Sequence, residues 1–468
     1  MSYIVYLLTF FYLIVHSHSE LPSIRVDPNT QNFIDEYGRV RIFHGVNVVY
    51  KVPPFLPDLT NFDPQNSLTN DDLNNLHQWG FNVIRFYTAW MGVNPTSDKE
   101  VNQDYILQLS TAVKMMEDKG IYALLDFSNT SPSYRYTNGN GTLDSFGSFW
   151  QTIANAFANR SSVLGYELIN EPPMPELIEA VEIGYVDRVY LAPMYKKLHE
   201  IIRQVDDKHI IFFEPCVADL LQTGLTEGPG GIDYNDRQAF SYHVYCIDVT
   251  KQGDPKSDLI CDIDDALLIT LRFEEAKKKK FGGMMLTEFG ALSNSTESIK
   301  EIHRITGIAD QFLQSWSYWQ FKKYQDLTTA ASPATTESFY DENGELEMNK
   351  VRALSRSYAQ AIAGQPIFMY FEPISADFQL DFKINTAIQQ PTIIYINEDL
   401  NYPNGNNIKV TPANSLTWTS TSRNYYEFAT TSSTKNGTAI TIEITQKSLN
   451  WFNKFRHWLK KKISFSNK

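Results

Sequence analysis

Eight short apolar runs, interleaved with amphipathic stretches, leave this chain few ways to fold. The runs are "RIFHGVNVVY", "FNVIRFY", "GIYALLDFS", "VLGYELIN", "HIIFFEP", "AFSYHVY", "GGMMLTEFG" and "SWSYWQF". Their apolar character is nearly continuous, as it is in strands buried on both faces. Between them, stretches such as "YILQLSTAVKMMEDKG" and "MYKKLHEIIRQVDDKH" carry apolar residues at helical spacing. A strand followed by a helix or long loop, eight times over, predicts a (β/α)8 barrel. The competitor, an open doubly wound sheet, would carry a Gly-rich phosphate loop after its first strand, and the sequence has none there. The last barrel helix is placed at "MNKVRALSRSYAQAIAG", stopped by Gly364 and Pro366.

From Gln365 the texture changes. "DFQLDFKINT", "PTIIYINED" and "TAITIEITQ" are alternating or β-branched runs separated by Asn, Gly and Pro turns. They predict a small antiparallel β-sandwich. The organisation is therefore read as a signal peptide over 1–19, the barrel over 20–364, the sandwich over 365–446 and a tail over 447–468. In the tail, Trp451, Phe452, Phe455, Trp458, Leu459 and Ile463 share one arc at 100° per residue, with Lys454, Arg456, His457, Lys460 and Lys461 opposite. Such a basic amphipathic helix suits a membrane surface, and docking on its own domain is the alternative.

The first residues hold an apolar run too short to span a bilayer comfortably, then Ser17 and Ser19 at signal-peptidase spacing. That predicts cleavage near Ser19 and a secreted or endolysosomal protein, peripheral on membranes if the tail binds them. The amino end carries no Lys or Arg, so an uncleaved anchor is the alternative. Sequons at Asn140, Asn159, Asn294 and Asn436 are candidate N-glycosylation sites. Of three cysteines, Cys246 and Cys261 flank one loop that a disulfide would pin, and Cys216 reads as a buried thiol.

A net charge of -13 argues against a nucleic-acid partner. The aromatic share of 13% suits a surface that grips sugar faces, although most of these rings belong to the core. In a (β/α)8 barrel the chemistry sits at the carboxyl ends of the strands. Glu171 closes the fourth run and Glu288 the seventh. Two carboxylates facing each other across a barrel mouth are what glycoside hydrolysis needs: one protonates the leaving oxygen, the other attacks the anomeric carbon or activates water. Other strand ends supply support. Arg85 is placed to hold a carboxylate ionised, and His243 and Tyr245 share one strand face. Asn170 can hold a sugar 2-hydroxyl, and Trp319 offers an apolar floor. Glu167, inside the fourth strand, reads as a structural carboxylate, and Glu214, ending the fifth, as a decoy that faces the mouth. No His/Cys/Asp cluster has ligand spacing, so neither a metal nor another cofactor is expected.

With "GVNVVYKVPP", "GFNVIRFYTAW", "GYELINEPP", "FFEP", "SYHVYC", "LTEFGAL" and "WSYWQFK", the chain resembles family 5 of the glycoside hydrolases, and within it the endoglycoceramidases and related glycosylceramidases. The resemblance implies a retaining mechanism, with Glu171 as acid/base and Glu288 as nucleophile. It implies that Lys51 contacts the glycan, and that the reaction parts an intact glycan from the ceramide of a glycosphingolipid. One stretch departs: where that family reads Asp-Met-His-Gln-Asp, this chain reads "DFSNT". Asp126 is kept as a substrate-binding candidate, with Ser128 in place of a histidine and Thr130 in place of an aspartate. A hydroxyl for an ionised acceptor weakens a contact of about 1.5–3 kcal/mol, so an altered glycan preference or slower turnover is expected. The Asn129 sequon there would clash with substrate and is expected to be unoccupied. The alternatives are an exo-acting β-glucosidase on glucosylceramide or steryl glucosides, a β-glucanase, or a catalytically weak glycolipid-binding protein.

Overall fold

The computed structural model describes residues 20–95, 100–128, 142–173, 182–217, 219, 222–246, 248–329 and 331–447. The signal peptide, Asn129, Thr130, Asn140 and the tail from 448 onward lie outside the described residues. Among those described, no helix is long and apolar enough to cross a membrane.

Three short strands open the chain: β1 (Ile24–Val26), β2 (Phe33–Asp35) and β3 (Val40–Arg41). The eight apolar runs then form β4 (His44–Val48), β5 (Val83–Tyr87), β6 (Tyr122–Asp126), β7 (Val163–Glu167), β8 (Ile210–Phe213), β9 (Gln238–Val244), β10 (Gly283–Gly290) and β11 (Ser315–Trp319). They close in sequence order into a barrel of parallel strands. Nearly every residue in these strands is buried, the consequence of helices outside and packed side chains within. The helices that wrap the barrel include α1 (Asn70–Gln78), α2 (Trp90–Val93), α3 (Gln103–Glu117), α4 (Thr142–Phe157), α5 (Ala192–Ile202), α6 (Asp258–Lys279), α7 (Thr296–Gln311) and α8 (Met348–Leu354). The lower barrel is plugged by Val26, Phe33, Phe43, Tyr122, Leu124, Phe212 and Met285. Polar chemistry is left to the upper end.

The helix expected to run on to Gly364 stops at Leu354. "YAQAI" is instead β12 (Tyr358–Ile362), a strand of the sandwich. Its alanines pass for helix formers, and sheet pairing overrides that propensity. β13 (Gly364–Phe371), β14 (Phe378–Ile384), β15 (Thr392–Tyr395), β16 (Asn406–Thr411), β17 (Leu416–Ser422), β18 (Tyr425–Thr430) and β19 (Ala439–Gln446) follow. The two sheets run β1-β2-β3-β12-β15-β18-β17 and β13-β14-β19-β16. The chain's first strands thus extend a sheet of the C-terminal domain, and the boundaries expected at 20 and 365 do not separate the two bodies.

The junction is built on the end of α1, whose last carbonyls have no partner within the helix. Sandwich side chains supply them. Tyr425 Oη donates to His77 O at 2.7 Å, Tyr395 Oη to Gln78 O at 2.8 Å, and Tyr358 Oη to Gly80 O at 2.6 Å. Gly80, at φ +87°, ends the turn, and a Cβ there would lie 2.3 Å from the Tyr395 ring. Gly120 also has positive φ, but open space around its Cβ position. Gly80→Ala is therefore expected to lower stability by about 1–3 kcal/mol more than Gly120→Ala, the cost of overpacking. Denaturant unfolding of the two variants checks this.

Candidate active site

Arg85, at the centre of β5, is fully buried, and its planar fork organises the upper barrel. Nε donates to the Glu167 carboxylate. Nη1 donates to Asn47 Oδ1 at 3.0 Å and to Glu288 Oε1 at 2.6 Å. Nη2 donates to Asn170 Oδ1 at 2.8 Å, pairs with Asp126 at 2.9 Å, and lies 3.7 Å from Glu214. Sheet register explains the convergence. Arg85 is level with Asn47, Asp126 with Glu167, and His243 with Glu288. Along a regular strand Thr287 and Glu288 would point to opposite faces. The register of β10 slips between Leu286 and Glu288, so Thr287 Oγ1 reaches Glu167 at 2.9 Å while Glu288 reaches Arg85.

One guanidinium cannot balance this many buried carboxylates. For Asp126, burial pushes the carboxyl up, Arg85 pulls it back, and Glu167 and Glu288 push again, leaving it at about 8. Burial also pushes Glu214 well above the carboxylate range, against the pull of His243. Glu167 ends below that range: burial raises it, and Arg85's charge and hydrogen bond more than compensate. His243 is lowered by burial, but Glu214, Glu288 and Glu171 lift it to about 10. The ring is therefore a cation through neutral pH.

Glu171 and Glu288 both approach Nδ1 of that ring, at 3.0 Å and 3.5 Å, in different settings. Glu288 is buried, with one oxygen accepting from Arg85 and the other from Tyr245 Oη at 2.7 Å. Glu171 lies four residues beyond the end of β7, not within it, and its φ of +43° is rare for a residue with a side chain. Its side chain is 40% exposed, with Oε1 3.0 Å from His243 Nδ1. Burial raises the Glu171 carboxyl, while the His243 hydrogen bond and charge, with Arg85 and Lys51, hold it below the usual range. Oxygens of Glu171 and Glu288 approach within 4.8 Å.

Above the pair, Lys51 Nζ lies 5.2 Å over the Trp319 ring, 3.2 Å from Thr328 Oγ1 and 3.5 Å from Asp326. Trp319 Nε1 donates to Glu337 at 2.9 Å, which fixes the indole at the end of β11.

The family model "Cellulase (glycosyl hydrolase family 5)" matches residues 52–325, and the family 5 C-terminal domain matches 356–444. The chain belongs to glycoside hydrolase family 5. It is a hydrolase of glycosidic bonds. Among proteins similar to the chain, an endoglycoceramidase from Hydra vulgaris is 30% identical over 83% of this chain and 85% of that protein. One from Cyanea nozakii is 29% identical over 84% and 88%. In fold the chain is similar to the ganglioside GM3 complex of endo-glycoceramidase II from Rhodococcus sp., with a TM-score of 0.70 at 20% identity over 89% of this chain and 99% of that one.

Arg85, Asn170, Glu171, His243, Tyr245 and Glu288 converge on one site, and Lys51 and Trp319 border it. Asp126 needs correcting as a substrate contact: it is fully buried in the Arg85 shell, which the sheet register with Glu167 imposes. Ser128 is 6% exposed, as Lys51 and Trp319 are at 7%, and it stands just past the end of β6. Cys246 and Cys261 form the disulfide, tying the loop after β9 to α6, and Cys216 is buried. Asn159 and Asn436 are exposed, whereas Asn294 is half-buried and accepts from Lys350 N at 3.2 Å. Sequence reasoning missed Asn47, although it stands in "GVNVVY" two positions from Gly45 on the inward face. It also missed Thr287, which only the slip in register turns inward, and Glu337, which nothing local marks. Metal-like clustering, absent from the sequence spacing, does arise in space: Glu167, Glu214 and His243, and Glu171, His243 and Glu288, each bring ligand atoms within 4.8 Å. A cationic His243 shared by both groups, with Arg85 alongside, opposes a divalent ion there.

Asp126 and His243 bind protons more tightly in the folded state than in the unfolded chain. The stability they add is full below their ordinary values and is lost as pH rises through the raised ones. For Asp126 the window runs from 3.8 to about 8. Asp126→Asn is expected to flatten the fall in stability across that window, as read by unfolding at a series of pH values. An unchanged slope would contradict the proton placed on Asp126.

Proposed function

We propose that this family 5 hydrolase is a retaining endo-β-glycosidase that parts the glycan of a glycosphingolipid from its ceramide. The observation that carries the mechanism is the approach of the Glu171 and Glu288 oxygens within 4.8 Å. Retaining pairs stand about 5–5.5 Å apart, and inverting pairs leave about 6.5–9.5 Å for a water. The hydrogen bonds divide the roles. Glu288, with both oxygens accepting, attacks the anomeric carbon and forms the glycosyl-enzyme. Glu171, open to the mouth, protonates the departing ceramide oxygen and then takes the proton from the attacking water. Asn170, fixed by Arg85, holds the 2-hydroxyl, and Lys51 and Trp319 hold the sugar on the glycan side. The substrate class is supported by the endoglycoceramidases that the chain resembles along most of its length.

The protein works outside the cytosol. The Cys246–Cys261 bridge and the exposed sequon asparagines Asn159 and Asn436 support an oxidising, glycosylating route, in keeping with the signal-like leader. The basic tail carries the enzyme to lipid surfaces. Binding to anionic vesicles should fall with salt and with deletion of 448–468, and salt-insensitive, tail-independent binding would contradict this delivery.

Product analysis on complex and simple glycosphingolipids tests the reaction: an intact oligosaccharide and free ceramide are expected, and glucose alone would favour exo cleavage. Glu288→Gln should abolish turnover, and Glu171→Gln should cost about 10²–10⁴-fold. The pH profile is also constrained. In the free enzyme His243 holds Glu171 low, and bound substrate removes the water that the exposed carboxyl still has, which raises it. The basic limb of kcat should therefore lie at higher pH than that of kcat/KM, and the reverse order would contradict Glu171 as the acid.

A further inference from the structure

Glu214, at the end of β8, has no role in the scheme above, yet it is 3% exposed and aimed into the site. Its Oε2 accepts the backbone N–H of Glu171 at 3.3 Å. Its Oε1 faces His243 Nε2 at 3.4 Å, on the ring edge opposite the nitrogen that holds the Glu171 carboxyl. Its own backbone oxygen accepts from Tyr195 Oη of α5 at 2.6 Å, so the strand end that carries it is pinned. Glu171 stands at φ +43°, a conformation that costs of order 1–3 kcal/mol and persists only where its surroundings enforce it.

We propose that Glu214 is a positioning residue: by accepting the Glu171 amide and facing the far nitrogen of His243, it fixes where the Glu171 carboxyl points. The proposal rests on the acid role given to Glu171 above. Two contacts from one carboxyl reach the acid by separate paths, one through its own backbone and one through the histidine that orients its side chain. The groups facing Glu214 are His243 of β9, Arg85 of β5, Glu167 of β7 and Glu171 beyond β7. Burial and the neighbouring carboxylates raise the Glu214 carboxyl while His243 pulls it back, and its Oε1 stands 3.4 Å from Nε2 as a close polar contact rather than a hydrogen bond. A glutamine keeps an acceptor for the Glu171 amide, and a side chain without an acceptor cannot.

The test compares Glu214→Gln and Glu214→Met on octyl β-lactoside, whose alkoxide must be protonated to leave, and on nitrophenyl β-lactoside, whose phenolate need not be. For Glu214→Met, kcat/KM on the octyl substrate should fall about 100-fold, as for a misplaced catalytic group, with little change on the nitrophenyl one. Glu214→Gln should stay near wild type on both. A merely structural role would lower both substrates together. An unimpaired Glu214→Met, an equal loss on the two lactosides, or a Glu214→Gln no better than Glu214→Met would each overturn the proposal. Should Glu214→Met not fold, Glu214→Asp, which draws the acceptor back by one methylene, is read in the same way. Wild-type protein inert towards both lactosides would overturn the functional reading itself, and this proposal with it, whereas an active wild type with unselective variants overturns only the role of Glu214.

Discussion

A guanidinium sealed inside the barrel sets the terms for everything around it. Arg85 has no water to turn to, so each of its donors must find an acceptor among neighbouring strands. Glu167 supplies charge from below, Asn47 and Asn170 supply neutral oxygens, Asp126 adds a carboxyl raised to about 8, and Glu288 completes the shell. Removing one partner from such a cluster leaves a buried charge uncompensated, which is why it behaves as one unit. Chemistry and stability therefore share the same atoms: the bond that holds Glu288 in place for attack also keeps Arg85 from being an unpaired cation.

The carboxylate excess around Arg85 also shapes His243. Glu214, Glu288 and Glu171 together keep the imidazole charged despite complete burial, and the charged ring in turn lowers Glu171. Protons are held unevenly across the site, with Asp126 raised to about 8 and Glu214 raised well above the carboxylate range while Glu167 and Glu171 are lowered. Such mutual dependence makes any single carboxyl in the barrel a poor guide to its own behaviour.

Much of this was legible in the chain. All eight barrel strands follow from continuous apolar runs, and the placement of Glu171 and Glu288 at strand ends follows from the barrel. Sandwich strands β14, β15 and β19 follow from alternating or β-branched runs, whereas β16 and β18 stand in stretches that no such run singled out. What was misread shares one cause, namely partners far away in sequence. "YAQAI" looks helical until it pairs with β3 and β15, and residues 24–41 look like a lead-in to the barrel until they join the sandwich sheet. Asp126 looks like a sugar ligand until β7 draws level with it and Arg85 covers it.

The sequence by itself determined the barrel, the identity of the two carboxylates and the aromatic and cationic residues at the mouth, because strand periodicity places side chains without reference to anything distant. Only the tertiary structure decided which carboxylates are pushed to hold protons, because that depends on burial and on charges carried by six strands, β5 to β10. It alone turned Thr287 and Glu288 inward together, through a slip in register that no local pattern announces. It also lifted Glu171 out of its strand into a left-handed turn, where the side chain of Glu214 reaches its amide.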